Sequence, residues 1–205
     1  MVLSFFLNGL VIGLSIAAPV GPIGVLCIRR TLTEGQIVGL LSGLGAATAD
    51  AIYGFIAGFG LTFISNFLID QQIYLRLIGG GFLCFLGVRN LLSKPVEKVV
   101  ADKRKGLLAS YFSTFFLTLT NPVTILSFLA IFAGLGIGGV NTSWVSALAL
   151  VVGVFIGSIL WWIFLSVSVN IFRTKFTPQR LRWINRISGT VIIAFGLLAL
   201  YSLIG

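Results

Sequence analysis

One carboxylate, Asp50, and three prolines, Pro19, Pro22 and Pro122, stand inside stretches that are otherwise almost wholly apolar. These are the residues whose types can do chemistry. Proline has no N–H to give the carbonyl four residues back, and in a helix interior it costs about 3 kcal/mol. The three prolines therefore release the carbonyls of Ser15, Ala18 and Thr118 from their usual donors, while Gly21 lets the backbone swing or another group approach. A helix that restarts after such a break presents free N–H groups and the positive end of its dipole, which suits an anion; released carbonyls and a carboxylate suit a cation. A zwitterion carries both charges. On residue type alone, Asp50 with the carbonyls of Ser15, Ala18 and Thr118 fits an ammonium group. The N–H groups after Pro22 or Pro122, with the Asn121 amide, fit a carboxylate.

Whether these groups can meet depends on the elements that carry them. With 58% hydrophobic and 9% charged residues and a mean hydropathy of +1.10, the 205-residue chain is too apolar for a water-soluble domain. Runs of about 20 apolar residues cross a hydrocarbon core of roughly 30 Å as helix, and six occur, at about 3–27, 37–62, 73–92, 107–134, 144–169 and 184–204. None alternates as a barrel strand would. Asp50 falls about 14 residues, or roughly 20 Å, into the second run, near the bilayer centre. A charge there facing lipid costs about 2.5 to 3.5 kcal/mol, so it must face the bundle. It shares one helical stripe with Gly39, Gly43, Ala46, Ala47, Gly54 and Gly58, the face expected to pack against neighbours. Pro19 and Asn121 lie about 15 to 22 Å deep, level with Asp50. Irregular backbone is tolerated at that depth only where protein or a water-filled cavity satisfies it, so a polar cavity enclosed by spans one, two and four is expected.

Charge gives an expected orientation. The loops after spans one, three and five carry 13 of the 14 Lys and Arg: Arg29 and Arg30; Arg89, Lys94, Lys98, Lys103, Arg104 and Lys105; and Arg173, Lys175, Arg180, Arg182 and Arg186. These loops are read as cytoplasmic, with both termini outside. The net charge of +9 is then accounted for by topology and anionic membrane lipid, with no nucleic acid as partner. The remaining Arg76, near the outer end of span three, is read as snorkelling or pairing with Asp70 rather than steering a carboxylate. Met1 to Leu14 hold no Lys or Arg, and Pro19 and Pro22 spoil a cleavage site, so the first run is read as retained rather than as a signal peptide. Cys27 and Cys84 stand alone in different spans and no His is present; both read as small core residues, with no metal site and no cofactor. No nucleophile and base group at one depth, so an enzyme is not expected.

A single transmembrane domain, 1–205, is expected to divide at the basic cytoplasmic linker 93–106 into three-helix sets, 1–92 and 107–205. Three spans per set force the second to enter with opposite polarity, giving an all-α membrane protein of six helices in two inverted repeats, N-out and C-out. Each set opens with a proline-broken span, "APVGP" and "TNPVT". Each continues into one with small residues at helical spacing, including Gly39, Gly43, Gly54 and Gly58 in one and Gly153 and Gly157 in the other, read as packing positions. Thr33 and Gln36 read as a capping box opening span two. Residues 173–186 read as an interfacial segment with Trp183 at headgroup depth. Trp161 and Trp162 read as internal packing rather than cavity lining.

At "APVGPIGVLCIRRTLTEG", "GLLSGLGAATADAIYG" and "TNPVTILSFLAIFAGLG" the chain resembles the lysine exporter (LysE) family, which includes homoserine and threonine exporters, over essentially its whole length. After Asn121-Pro122 it lacks the Pro-Gln-Phe of the threonine type. The resemblance implies a secondary transporter exporting amino acids or close derivatives across the bacterial inner membrane, driven by protons or the membrane potential. It gives functional weight to Pro19, Gly21, Pro22, Asp50, Asn121 and Pro122. Related branches of the superfamily move divalent metal cations, which is the alternative; with no His and one intramembrane acid, the donor set is poor for a transition metal. A non-transporting scaffold stays open, as does a homo-oligomer. The expected mechanism is alternating access, the two sets rocking about Asp50.

Overall fold

The apolar runs fold as helices, and the two with prolines at mid-depth fold as pairs of shorter ones. The computed structural model describes residues 2–19, 21–59, 70–92, 103–135, 143–173 and 178–201, and every element among them is helical. In order these are α1 (Val2–Ala17), α2 (Pro22–Thr33), α3 (Gln36–Gly58), α4 (Gln72–Leu92), α5 (Lys103–Leu119), α6 (Pro122–Leu135), α7 (Trp144–Arg173) and α8 (Pro178–Tyr201). Four, α3, α4, α7 and α8, are long and apolar enough to cross a membrane; α1 and α2, meeting at 77°, make a fifth if taken as one bent span. The six spans read from the sequence are thus met in part. The expected first and fourth are divided at prolines into halves of 16 and 12 and of 17 and 14 residues, each short of the roughly 20 a span needs.

Glycine seams hold the bundle together. Without a strong hydrophobic drive between helices in lipid, close backbone approach supplies the packing energy. Along α1 and α7 the approach is reciprocal: a Cβ on Gly9 or Gly13 would run into the carbonyls of Leu150 or Val154, and one on Gly153 or Gly157 into those of Phe6 or Leu10. The α3–α5 seam repeats this, with Gly45 against the Tyr111 carbonyl and the Phe115 amide. Between α4 and α8 a Cβ on Gly87 would lie 2.8 Å from the Gly189 carbonyl, and one on Gly189 the same distance from that of Gly87. Gly80 and Gly196 pair likewise at 3.1 and 2.9 Å. On α3, Gly43, Gly54 and Gly58 face the side chains of Trp162, Val154 and Leu150 of α7, and Gly39 that of Thr31 of α2. Leu26, Cys27, Ala47, Leu117 and Ile192 fill one apolar core, and Tyr53, Phe128, Leu150 and Val154 a second.

Three local expectations are corrected. Arg29 and Arg30 are not loop charges but buried residues of α2. The Arg30 guanidinium donates to Ser42 Oγ at 2.9 Å, the Ser110 carbonyl at 3.0 Å, Thr114 Oγ1 at 2.9 Å and Ser113 Oγ at 2.7 Å, tying α2 to α3 and α5. Arg29 Nε donates to Asn185 Oδ1 of α8 at 2.9 Å, and its guanidinium pairs with Glu34 at 3.3 Å. A count of basic residues cannot see this, because hydroxyls and an amide, not carboxylates, supply most of the acceptors. Second, the capping box does not form. Thr33 belongs to α2 and donates to the Arg29 carbonyl, and α3 is entered through Gly35, whose φ of 113° disfavours any residue with a Cβ. Third, the basic segments are partly helical: Lys103–Gly106 begin α5 and 178–186 begin α8, with Trp183 exposed and Arg186 lying 5.9 Å from its ring. Residues 93–102 and 174–177 of those segments lie outside the described residues.

Gly153→Val is expected to lower stability by about 1–3 kcal/mol, since only separating α1 from α7 relieves the overlap. Gly81→Ala, where a Cβ meets nothing within 4 Å, is expected to cost far less. Thermal melts in detergent check the pair; equal effects would count against the seam.

Candidate functional site

Asp50 sits on the α3 face that packs on α7 and is 3% exposed. Ser158 of α7 donates to Asp50 Oδ2 at 2.7 Å, and the Trp162 indole N–H donates to Ser158 Oγ at 3.1 Å. The second bond fixes the first. With its oxygen accepting from Trp162, the Ser158 hydroxyl has its proton directed at the carboxylate, which suits holding a buried acid in one rotamer. Trp162 also lines the cavity described below, so the expectation of packing alone is incomplete, whereas Trp161 is half-buried against Phe164.

The second break, between α5 and α6, replaces its lost bonds locally. Pro122 cannot donate to the Thr118 carbonyl, yet that carbonyl accepts from the Asn121 N–H at 3.2 Å, so Thr118 is not released as expected. Asn121 Oδ1 accepts the Val123 N–H at 3.2 Å as an N-cap of α6. The Leu119 carbonyl, left without Val123, accepts from Tyr53 Oη at 2.5 Å, one helical turn from Asp50. The first break is less complete. Gly21 is the N-cap of α2 in extended conformation, φ −98° and ψ −164°, with no side-chain cap.

These features border one cavity of about 580 Å³. It brings together Ser15, Pro19, Gly21, Pro22, Asp50, Thr118 and Asn121 of the residues singled out from the sequence. Ala18 is not on its wall, and Pro122 opens α6 directly after the lining residue Asn121. The wall also draws on spans that sequence reasoning left out of the cavity, through Arg76, Gly79 and Gly80 of α4 and Phe195 and Leu198 of α8, and on Thr124 and Ser127 of α6 within the expected fourth span. The run Gly79-Gly80-Gly81 was the available signal. A Cβ on Gly79 would lie 2.7 Å from the Thr120 carbonyl, so α4 comes directly against the α5–α6 break. One buried carboxylate, an uncapped helix start and largely apolar walls make a place for a small polar solute with an apolar part. Among the described residues no three of His, Cys, Asp and Glu gather as metal ligands.

The family model for the LysE type translocator matches residues 14–203. The chain is 28% identical over 199 residues to a Bacillus subtilis protein named "Putative amino acid efflux protein YcgF", covering 95% of this chain and 94% of that one. It is 26% identical over 178 residues to an Escherichia coli protein named "Uncharacterized membrane protein YahN", covering 85% and 79%. No solved structure matches.

If the cavity holds water, cysteines on its wall will react with a membrane-impermeant thiol reagent. With Cys27 and Cys84 replaced by Ser, Ser15→Cys and Ser127→Cys are expected to label, and Ser42→Cys, fully buried away from the wall, is not. Mass spectrometry of the intact protein reads the adducts; inert wall cysteines would mean a dry or sealed site.

Proposed function

We propose, from the premise that this chain belongs to the LysE type translocator family and is a multi-pass membrane transporter rather than an enzyme, that it exports amino acids or close derivatives across the bacterial inner membrane. The observation that carries the reading is the single cavity shared by Asp50 and both helix breaks. The substrate ammonium binds at Asp50, held by Ser158. Its carboxylate turns toward the helix starts, where Ile23 and Gly24 of α2 and Val123 and Thr124 of α6 line the wall. The apolar side chain, where there is one, lies along Leu83, Phe195 and Trp162.

The working protein has six spans, α1 with α2 and α5 with α6 each acting as one broken crossing, in two inverted three-span sets, 1–92 and 107–205, with both termini outside. The packing supports this arrangement. Gly153 meets the backbone of α1 as Gly45 meets that of α5, and the α4–α8 seam reads the same from either helix. Transport proceeds by alternating access. Asp50 releases the ammonium outside and takes up a proton or the next substrate inside, with the proton gradient or membrane potential as driving force. Arg29 and Arg30 hold the far end of α2 to α3, α5 and α8, on what is then the cytoplasmic side. Divalent-cation export is the competing reading, and Asp50 is the one acid among the described residues of the wall to serve it.

Counterflow in proteoliposomes against labelled amino acids and divalent cations tests the proposal. Amino-acid exchange is expected with the wild type and a loss of about 100-fold or more with Asp50→Asn, since a charge-assisted contact is removed from a buried site. Cation flux without amino-acid flux would favour the competitor.

A further inference from the structure

The glycines of the α4–α8 seam say which residues of the two three-span sets correspond. Gly80 meets Gly196 and Gly87 meets Gly189, and the same interval along the chain separates 80 from 189 and 87 from 196. An interval one residue shorter relates Gly45, against α5, to Gly153, against α1, and with them Asp50 to Ser158, which are bonded to each other. Asp50 and Ser158 are thus each other's counterparts, where the two sets exchange. On α4 and α8 the cavity takes its wall from one end of their seam, where Gly79, Leu83, Phe195 and Ala199 line it. By the same interval their counterparts at the other end are Ser188, Ile192, Leu86 and Asn90, and all four are buried.

That other end is bonded across the two sets. Arg29 of α2 donates to Asn185 of α8, one turn from Ser188, and Arg30 donates to the Ser110 carbonyl and to Ser113 and Thr114 of α5. Both arginines belong to the first set and these acceptors to the second, whereas Pro22 and Gly24 at the start of α2 line the cavity. Rocking one set against the other has to break these bonds. Water offsets the loss, because guanidinium groups and the polar side chains of Asn90, Asn185 and Ser188 are costly in apolar packing and well solvated in a wet passage. We propose that Arg29 and Arg30 are a gate, and that when it parts a second vestibule opens along Asn90, Asn185, Ser188 and Ile192, through which the amino acid reaches Asp50 from the face opposite the present cavity. This rests on the alternating-access reading above and goes further, by naming the bonds that hold one of its two states and the wall of the other.

Labelling rates in the purified full-length protein provide the test, with Cys27 and Cys84 replaced by Ser and no amino acid added. Ser188→Cys reports the proposed vestibule and Ser127→Cys the present cavity, each with Arg30 intact and with Arg30→Gln. Mass spectrometry of the intact protein follows the adducts of a membrane-impermeant thiol reagent. Weakening a gate moves population between two states, so the two rates must change in opposite directions. Arg30→Gln is expected to raise the Ser188→Cys rate about tenfold or more and to lower the Ser127→Cys rate about threefold or more. Any other pair of changes overturns the inference: rates that rise together mean a loosened bundle, and a rate left unchanged means no coupled opening. Should Arg30→Gln not fold, Arg30→Lys, which keeps the charge and loses the planar fork, decides on the same two signs. Amino-acid counterflow by the wild type is read separately. Counterflow beside an overturning pair of rates leaves the export reading standing; no counterflow removes that reading and the amino acid from the vestibule, while the gate still stands or falls on the rates.

Discussion

A backbone polar group at membrane depth has no water to fall back on, and everything distinctive in this molecule follows from breaking helices where that constraint is strictest. The α5–α6 break meets it with three replacements inside a few residues: an amide-to-carbonyl bond to Thr118, the Asn121 cap, and the Tyr53 hydroxyl on the Leu119 carbonyl. The first break, at Gly21, has no comparable side-chain cap. The two are therefore not equivalent. One is closed by a side-chain cap and a tyrosine hydroxyl; the other has no side-chain cap.

The glycine seams explain why such a cavity persists. Backbones in contact along α1–α7, α3–α5 and α4–α8 fix the spacing of the helices, and all eight described helices contribute residues to the cavity wall. The α3–α7 seam, where glycines meet side chains rather than backbone, is the one that carries Asp50 and Ser158.

What the sequence made legible was whatever depends on local rules. The helical class, the two breaks and the inward face of Asp50 follow from hydropathy, from proline's missing donor and from a one-in-four stripe of small residues. Tertiary partners were illegible. Nothing local distinguishes Arg30, clamped by Ser42, Ser113 and Thr114, from an ordinary basic loop residue, or Trp162 on the cavity wall from a packed one. Thr33 and Gln36 have the spacing of a capping box, but the chain needs a sharp reversal between α2 and α3, and Gly35 supplies it at a φ closed to other residues. The place of Arg76 on the cavity wall was illegible too, because the contact of Gly79 with Thr120 that brings that part of α4 to the site joins two helices.

The central claim is that the Asp50 carboxyl meets the transported molecule. Difference infrared spectroscopy on protein carrying carboxyl-labelled aspartate, in lipid and with amino acid added, observes that group itself. The expected result is a carboxyl band that changes on addition and is missing from Asp50→Asn. A wild-type carboxyl signal indifferent to an amino acid that the same vesicles transport would contradict it.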